Sequence, residues 1–295
     1  MDLTGFADEV GMAGPVTVSG LGTRGGPVSG TRLVRAPSGI VDFQPDEMTV
    51  RCGAGTPVDE LAAALAEAGQ YTALPAGGTV GGALAAGRSD VLRLGRGPVR
   101  DGLLQARYVS AEGRVVKAGG PTVKNVSGFD LCRLLVGSSG TLGFLGEVIL
   151  RTRPSPRSQR WFRSSGADPF EFLSRLYKPT SVLWDGTTTW IALEGHPGDV
   201  EAQAALIHGA EPVEGPPPLP SGSRRSVPPS AVRGLTGRFI AEVGVGVVHH
   251  AEPWSSRPMP PPAVVALHRR LKDLNDPTGR LNPGLDVLAP AGGGR

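Results

Sequence analysis

The stretch GGTVGGALAAGRSD, residues 77–90, constrains the fold more than any other, because four of its glycines form two adjacent pairs around Thr79. A helix interior would reject them, since each glycine costs about 1 kcal/mol there relative to alanine. Two readings remain: a loop that needs conformational freedom, or a backbone surface that must lie against a large ligand. A second glycine loop, GLGTRGG at 20–26, raises the same question. GLGTRG satisfies GxGxxG, but a dinucleotide fingerprint of that kind needs a helix opening directly behind it. Here GPVSGTRLVRAPSG follows, with two prolines and no helical period, which excludes a Rossmann unit. No GxxxxGK[ST] occurs, which excludes a P-loop. Glycine-rich turns can still gather amides around an anion without a helix. Thr79 and Ser89 add hydroxyl donors, and GALAAG (82–87) can start a helix behind the second loop. Two such loops, separated by strands and a helix, suit an extended dinucleotide.

Composition removes other classes. The 44 glycines among 295 residues are about twice the usual share, pointing to tight turns or close backbone–ligand approach. An apolar content of 39% with 19% charged residues excludes general disorder. A formal charge of +3 without a Lys/Arg run gives a nucleic-acid partner no footprint. MDLTGFADEV lacks a basic, then apolar, leader, and no apolar run reaches membrane-spanning length, so a cytoplasmic protein is expected. Cys52 and Cys132 form no CxxC pair; they read as reduced structural thiols and offer no framework for an iron–sulfur cluster.

Along the chain, PVTVSG (15–20) reads as a strand, and TRLVRAPSGIVDFQP through EMTVRCGAG as successive strands. TPVDELAAALAEAG (56–69) reads as a helix, with Thr56 as N-cap, Pro57 at its first position, and Val58, Leu61, Leu65 and Ala68 as the buried stripe. Residues 103–120 read as a hairpin turning at Glu112-Gly113, Asp130–Leu135 as a short helix capped by Asp130, and 141–154 as a strand. Beyond 154 the texture changes. Two helices and a strand are expected within 155–210, an exposed proline-rich linker over 211–230, one strand over 237–250 and a helix over 261–274.

GTVGGALAAGRSD, GPVRDGLLQARYVSAEGRVVKAGG, PTVKNVSGFDLCRLLVGSSGTLGFLGEVILRTRP and NDPTGRLNPG together resemble the FAD-binding fold shared by vanillyl-alcohol oxidase and p-cresol methylhydroxylase. Within that family they are most similar to the small FAD-binding subunit of bacterial glycolate oxidases. The resemblance is dense over 15–154, thin over 155–236, and returns at 237–284. It implies an α+β, two-subdomain FAD-binding fold with a reduced cap region. The implied division is 1–154 for the FAD-binding domain, 155–255 for the reduced cap, and 256–295 for a closing segment that returns to the FAD domain. It also implies FAD near Gly20, Gly22, Thr23, Thr79, Val80, Gly81, Gly82, Gly87, Ser89, Gly140, Val148 and Asn282, with Val148 contributing backbone groups. Gly140 could instead serve only a tight turn, and Asn282 could be only a turn residue. The first loop departs from the family's RGGGTS or RGGGHS pattern: Ser19 replaces an arginine and Leu21 a glycine. Thr23 stands where some relatives carry the histidine that bonds the flavin, so noncovalent FAD is expected.

Oxidising a 2-hydroxy acid needs a base for the hydroxyl proton and a cation for the carboxylate. His249 and His250 end a predicted strand and should face opposite ways, which makes His249 a candidate base. Lys124 is the second candidate, against a reading as a surface charge. GVGVVHH lacks the family's fuller metal-binding pattern, so no catalytic metal is expected. Three readings result. One is an FAD-dependent oxidoreductase for a small 2-hydroxy acid such as glycolate or lactate. The second is a noncatalytic flavin-binding or assembly subunit, needing a second flavoprotein subunit and an iron–sulfur subunit for turnover. The third is a scaffold that has lost its flavin.

Overall fold

In the computed structural model, residues 1–121, 130–207, 209, 211–253 and 260–288 are described. The described residues of 1–89, 98–155 and 259–288 gather into one unit, and those of 90–97 and 156–258 into a second.

The first unit begins with helix α1 (Thr4–Val10), which the sequence reading left unassigned. Phe6, Ala7 and Val10 are its buried face. Strands β1 (Val16–Val18) and β2 (Arg32–Val34) pair in parallel. Then come β3 (Ile40–Gln44), β4 (Thr49–Gly53), helix α2 (Val58–Glu67), β5 (Gln70–Tyr71) and helix α3 (Val80–Ala86). Later in the chain, β6 (Leu103–Val109) and β7 (Val115–Gly119) form the expected hairpin. Helix α5 (Leu131–Leu135) follows, and the Asp130 carboxylate caps it by accepting from the Arg133 amide at 3.2 Å. Strands β8 (Phe144–Arg151) and β9 (Arg153–Pro154) end this stretch. The main sheet is antiparallel in the order β3-β4-β8-β6-β7, and β5 pairs with β9.

β8 runs through the middle of that sheet and is almost wholly buried. On one side it meets α2 and α3 through Val58, Leu61, Leu65, Val80, Ala83 and Leu84. On the other, Phe144 packs with Phe6 and Val10 of α1 and with Leu281 of the closing segment. Three details of α2 differ from expectation, the first being that Pro57 is its N-cap rather than its first helical residue. Thr56 does not cap it: the Thr56 hydroxyl accepts from the Gly39 amide at 2.9 Å and donates to the Gly53 carbonyl at 2.7 Å, fastening the turn between strands. Ala68 is exposed, because the helix has already ended at the preceding residue. The last described helix, α8 (Pro262–Asn275), also belongs to this unit.

The second unit holds the short helix α4 (Arg93–Arg96), β10 (Ser158–Ser165), α6 (Pro169–Arg175), β11 (Ser181–Trp184), β12 (Thr188–Gly195) and α7 (Pro197–Ala204). It continues with β13 (Glu211–Val213), β14 (Ser223–Ser226), β15 (Phe239–Glu242) and β16 (Val247–His250). One antiparallel seven-stranded sheet results, in the order β13-β10-β12-β11-β15-β16-β14. Phe162, Phe172, Val182, Ile191 and Phe239 build the core under α6 and α7, while Trp161, Leu183, Ala192 and Ile240 pack on the opposite face.

Two expectations are corrected here. The proline-rich 211–230 is no free linker: it supplies β13 and β14, the two edge strands, where a missing proline amide breaks no ladder. Residues 237–250 are two strands, since Gly244 and Gly246, at φ +85° and +77°, turn the chain between β15 and β16.

Candidate functional site

The glycine loops meet inside the first unit. Gly20 approaches Thr79 so closely that a Cβ there would lie 2.7 Å from the Thr79 hydroxyl. Arg24 ties the loops together, donating to the carbonyls of Pro75, Ala76 and Gly77 at 3.0, 2.9 and 2.7 Å. Beside them opens a cleft of about 330 Å³, within the ~300–1,000 Å³ typical of small-molecule sites. Its walls are the loop 17–26, the exposed side of α3, the loop 138–145, and Asn282 with Leu285 of the closing segment.

Of the residues singled out from the sequence, Gly20, Gly22, Thr23, Thr79, Gly81, Gly82, Gly140 and Asn282 line this cleft. The other four lie elsewhere. Val80 is fully buried in the core beneath α3. Gly87 ends α3 in the left-handed region at φ +62° and packs on Gly137, which a Cβ would meet at 2.8 Å. The Ser89 hydroxyl accepts from the Val99 amide at 3.1 Å. Val148 sits between Cys52 of β4 and Ala106 of β6, its side chain in the core and its backbone flanked by both strands.

Most amides of the second loop are occupied. Val80 donates to the Thr56 carbonyl, Gly81 to the Ala54 carbonyl and Gly82 to the Thr79 hydroxyl, at 2.9, 2.7 and 3.1 Å. Of the anion-binding amides expected at 77–82, those of Gly77, Val80, Gly81 and Gly82 are therefore held by the fold itself. In the first loop, the amides of Gly20, Leu21 and Gly22 have no hydrogen-bond partner among the described residues. The glycines of the second loop do steric work instead. A Cβ on Gly81 would strike the Ala54 carbonyl at 2.9 Å, whereas one on Gly82 would meet only the Thr79 hydroxyl.

On the far wall, the Gly137 and Ser139 amides donate to the carbonyls of Leu84 and Ala85 at the end of α3. Asn282, at φ +45°, is a strut: it accepts from the Thr17 hydroxyl at 2.6 Å and donates to the Ser139 carbonyl at 2.7 Å. Gly140 lies at φ +70°, where glycine is favoured, and a Cβ there would stand 2.6 Å from the Asn282 amide nitrogen.

Electrostatically the cleft is one-sided. Arg24 and Arg88 line it, and no aspartate or glutamate does. Burial, with Arg88 nearby, pushes the Arg24 guanidinium below its ordinary range. Sequence reasoning missed both arginines, since nothing in GLGTRGG or AAGRSD marks them off from surface charges. Cys52 and Cys132 are buried and free, and burial pushes their thiols up to about 12 and about 11. They remain protonated and structural.

The candidate bases lie outside the cleft lining. His249 and His250 face opposite sides of the second unit's sheet: His249 is buried with its Nε2 2.9 Å from Glu242 Oε1, while His250 stacks near Phe239. Burial, and then Arg225, hold His250 below the usual histidine range. Lys124 lies outside the described residues.

Residues 12–119 match the family described as FAD binding domain. The chain carries an FAD binding domain. It is similar to the glycolate oxidase subunit GlcE of Escherichia coli, at 34% identity over 214 residues, covering 67% of this chain and 61% of that protein. It is also similar to a D-lactate dehydrogenase of Archaeoglobus fulgidus, at 33% identity, covering 52% of this chain and 36% of that protein. The chain thus spans less than two thirds of either relative. Alkyldihydroxyacetonephosphate synthase shares its fold, with a TM-score of 0.65 at 14% identity over 91% of this chain and 71% of that one. The mixed α/β fold is accordingly the one seen in that synthase. No described helix is long and apolar enough to cross a membrane.

The residues present suit FAD. The floor of the FAD binding domain's cleft is glycine and alanine, its first loop keeps unpartnered amides, and both its charges are positive. A pyrophosphate needs such a donor set. Among the lining residues no histidine, cysteine or tyrosine offers a covalent attachment point.

Proposed function

We propose that this chain is the FAD-carrying subunit of an oxidoreductase that converts small 2-hydroxy acids, such as glycolate or lactate, to 2-oxo acids. The observation that carries the proposal is the cleft itself: open glycine backbone, two arginines and no carboxylate, within a chain similar to a glycolate oxidase subunit. When bound, FAD supplies the hydride acceptor. The chain's own part is to hold the cofactor noncovalently, with the 20–26 loop at the pyrophosphate and the 138–143 loop braced by Asn282. The hydroxyl proton needs a base. We assign that role to His249, whose Nε2 is fixed by Glu242 and whose Nδ1 has no partner among the described residues. The division into an FAD-binding part, a reduced cap over 155–255 and a closing segment is part of the same proposal.

The alternative is a flavin-binding or assembly subunit without turnover of its own. One observation favours it: the cleft lining offers hydroxyls and guanidinium groups but no side chain that accepts a proton at neutral pH. A second flavoprotein subunit and an iron–sulfur subunit would then complete the reaction. The visible spectrum of the purified chain tests both readings. A flavin band that acid precipitation releases entirely into the supernatant is expected; pelleted flavin would contradict noncovalent binding, and no band would remove the cofactor. Bleaching by glycolate or lactate without partners supports the first reading. An unbleached band supports the second.

A further inference from the structure

We infer that Arg88 is the mobile cation that closes on the pyrophosphate of FAD, and that Arg24 cannot play this part. The inference rests on the cofactor assigned above. Arg24 and Arg88 are the two charged residues of the cleft lining, but they are held differently. Arg24 spends its guanidinium on three carbonyls of the 75–77 turn, so it serves as a fixed brace between the loops. Arg88 is exposed and has neither a hydrogen bond nor an ion pair among the described residues.

The backbone around Arg88 is nonetheless pinned on both sides. Gly87 is wedged against Gly137 in a conformation that favours glycine, and the Ser89 hydroxyl holds the Val99 amide. A free side chain on a fixed backbone, at the rim of a cleft without a counter-charge, is a cation placed for an incoming anion. The cleft's charge of two arginines matches the two negative charges of a pyrophosphate. A planar guanidinium suits its oxygens through paired N–H donors. The unpartnered amides of Gly20, Leu21 and Gly22 line the same cleft and supply further donors.

Anionic oxygen could also come from a substrate carboxylate, and the experiment separates the two sources. Flavin-free protein, as wild type and as Arg88→Gln and Arg88→Lys, is titrated with FAD, ADP and riboflavin by fluorescence. Circular dichroism is run alongside to verify folding. Loss of the charge should weaken FAD and ADP by about tenfold or more, leave riboflavin unchanged, and be partly restored by lysine. Added salt should narrow the difference between wild type and Arg88→Gln for FAD. Unchanged FAD affinity in Arg88→Gln would overturn the inference, and would point to the carboxylate if glycolate then competed more weakly. An equal loss for riboflavin would overturn it too, since the effect would be structural. Wild-type protein that binds none of the three would sink the cofactor assignment itself, a result distinguishable from either.

Discussion

Gly81 and Gly82 are adjacent, identical in sequence terms, and opposite in consequence. A side chain at 81 runs into the Ala54 backbone, which cannot retreat because Gly81 itself donates to that carbonyl. A side chain at 82 enters the cleft and meets only the Thr79 hydroxyl at 3.1 Å. Gly81→Val should therefore destabilise the fold by about 1–3 kcal/mol, the usual range for overpacking a tight contact. Gly82→Val should keep a near-wild-type melting temperature while losing bound flavin. Thermal melts and flavin occupancy on the two variants check this. A flavin-loaded Gly82→Val protein would mean that position 82 does not face the cofactor.

Among the elements, β8 carries the heaviest load, and its one charged buried residue shows how. Burial opposes ionisation of Glu147, yet the amino terminus and Arg107, at 2.7 and 3.2 Å, hold its carboxyl below the ordinary glutamate range of 4.5. A folded-state value below the unfolded one gives stability that is present above pH 4.5 and is lost as pH falls through the folded value. Glu147→Gln should cost about 1–3 kcal/mol at neutral pH and flatten the acid limb of stability. Denaturant midpoints measured from neutral pH downward would reveal a parallel acid limb if Glu147 were not responsible. Strong local patterns made several elements legible in advance. Leu61 and Leu65 repeat at helical spacing in α2, and Glu112-Gly113 marks the hairpin turn. α1 escaped notice because seven residues give a helical period barely one repeat. The β15–β16 turn could have been read from Gly244 and Gly246, two positive-φ positions inside what otherwise looked like one strand. The glycine cleft was legible as a place, because glycine reports steric demand. Which amides the fold itself consumes, and that Arg24 is a brace while Arg88 is free, depend on contacts between segments about fifty residues apart, which no local pattern encodes.

Across the whole molecule, the first unit is stitched from both ends of the sequence by Arg280. Its guanidinium is buried and donates to the carbonyls of Val10, Gly11, Ala13, Gly14 and Ala111, at 2.6 to 3.2 Å. Asp276 fixes the same turn by accepting from the Arg280 and Leu281 amides, and Leu281 bridges to Val16. Arg280→Ala would strand several carbonyls at once, so a loss of about 3 kcal/mol or more is expected. Arg280→Lys should recover only a part, because one ammonium cannot span five acceptors. Chemical denaturation of the two variants settles it, and equal stability of both with wild type would show the clasp to be dispensable. This clasp also sets an order of events on the ribosome. Strand β1 emerges early, but its partner at 281 and the Asn282 strut are made more than 250 residues later. The second unit can fold first, while the cofactor domain waits with its parallel edge unpaired, the slow and aggregation-exposed situation typical of distant pairings. Flavin can be captured only after residues 281 and 282 have emerged, so the nascent chain depends on that distant pairing before it can depend on its cofactor.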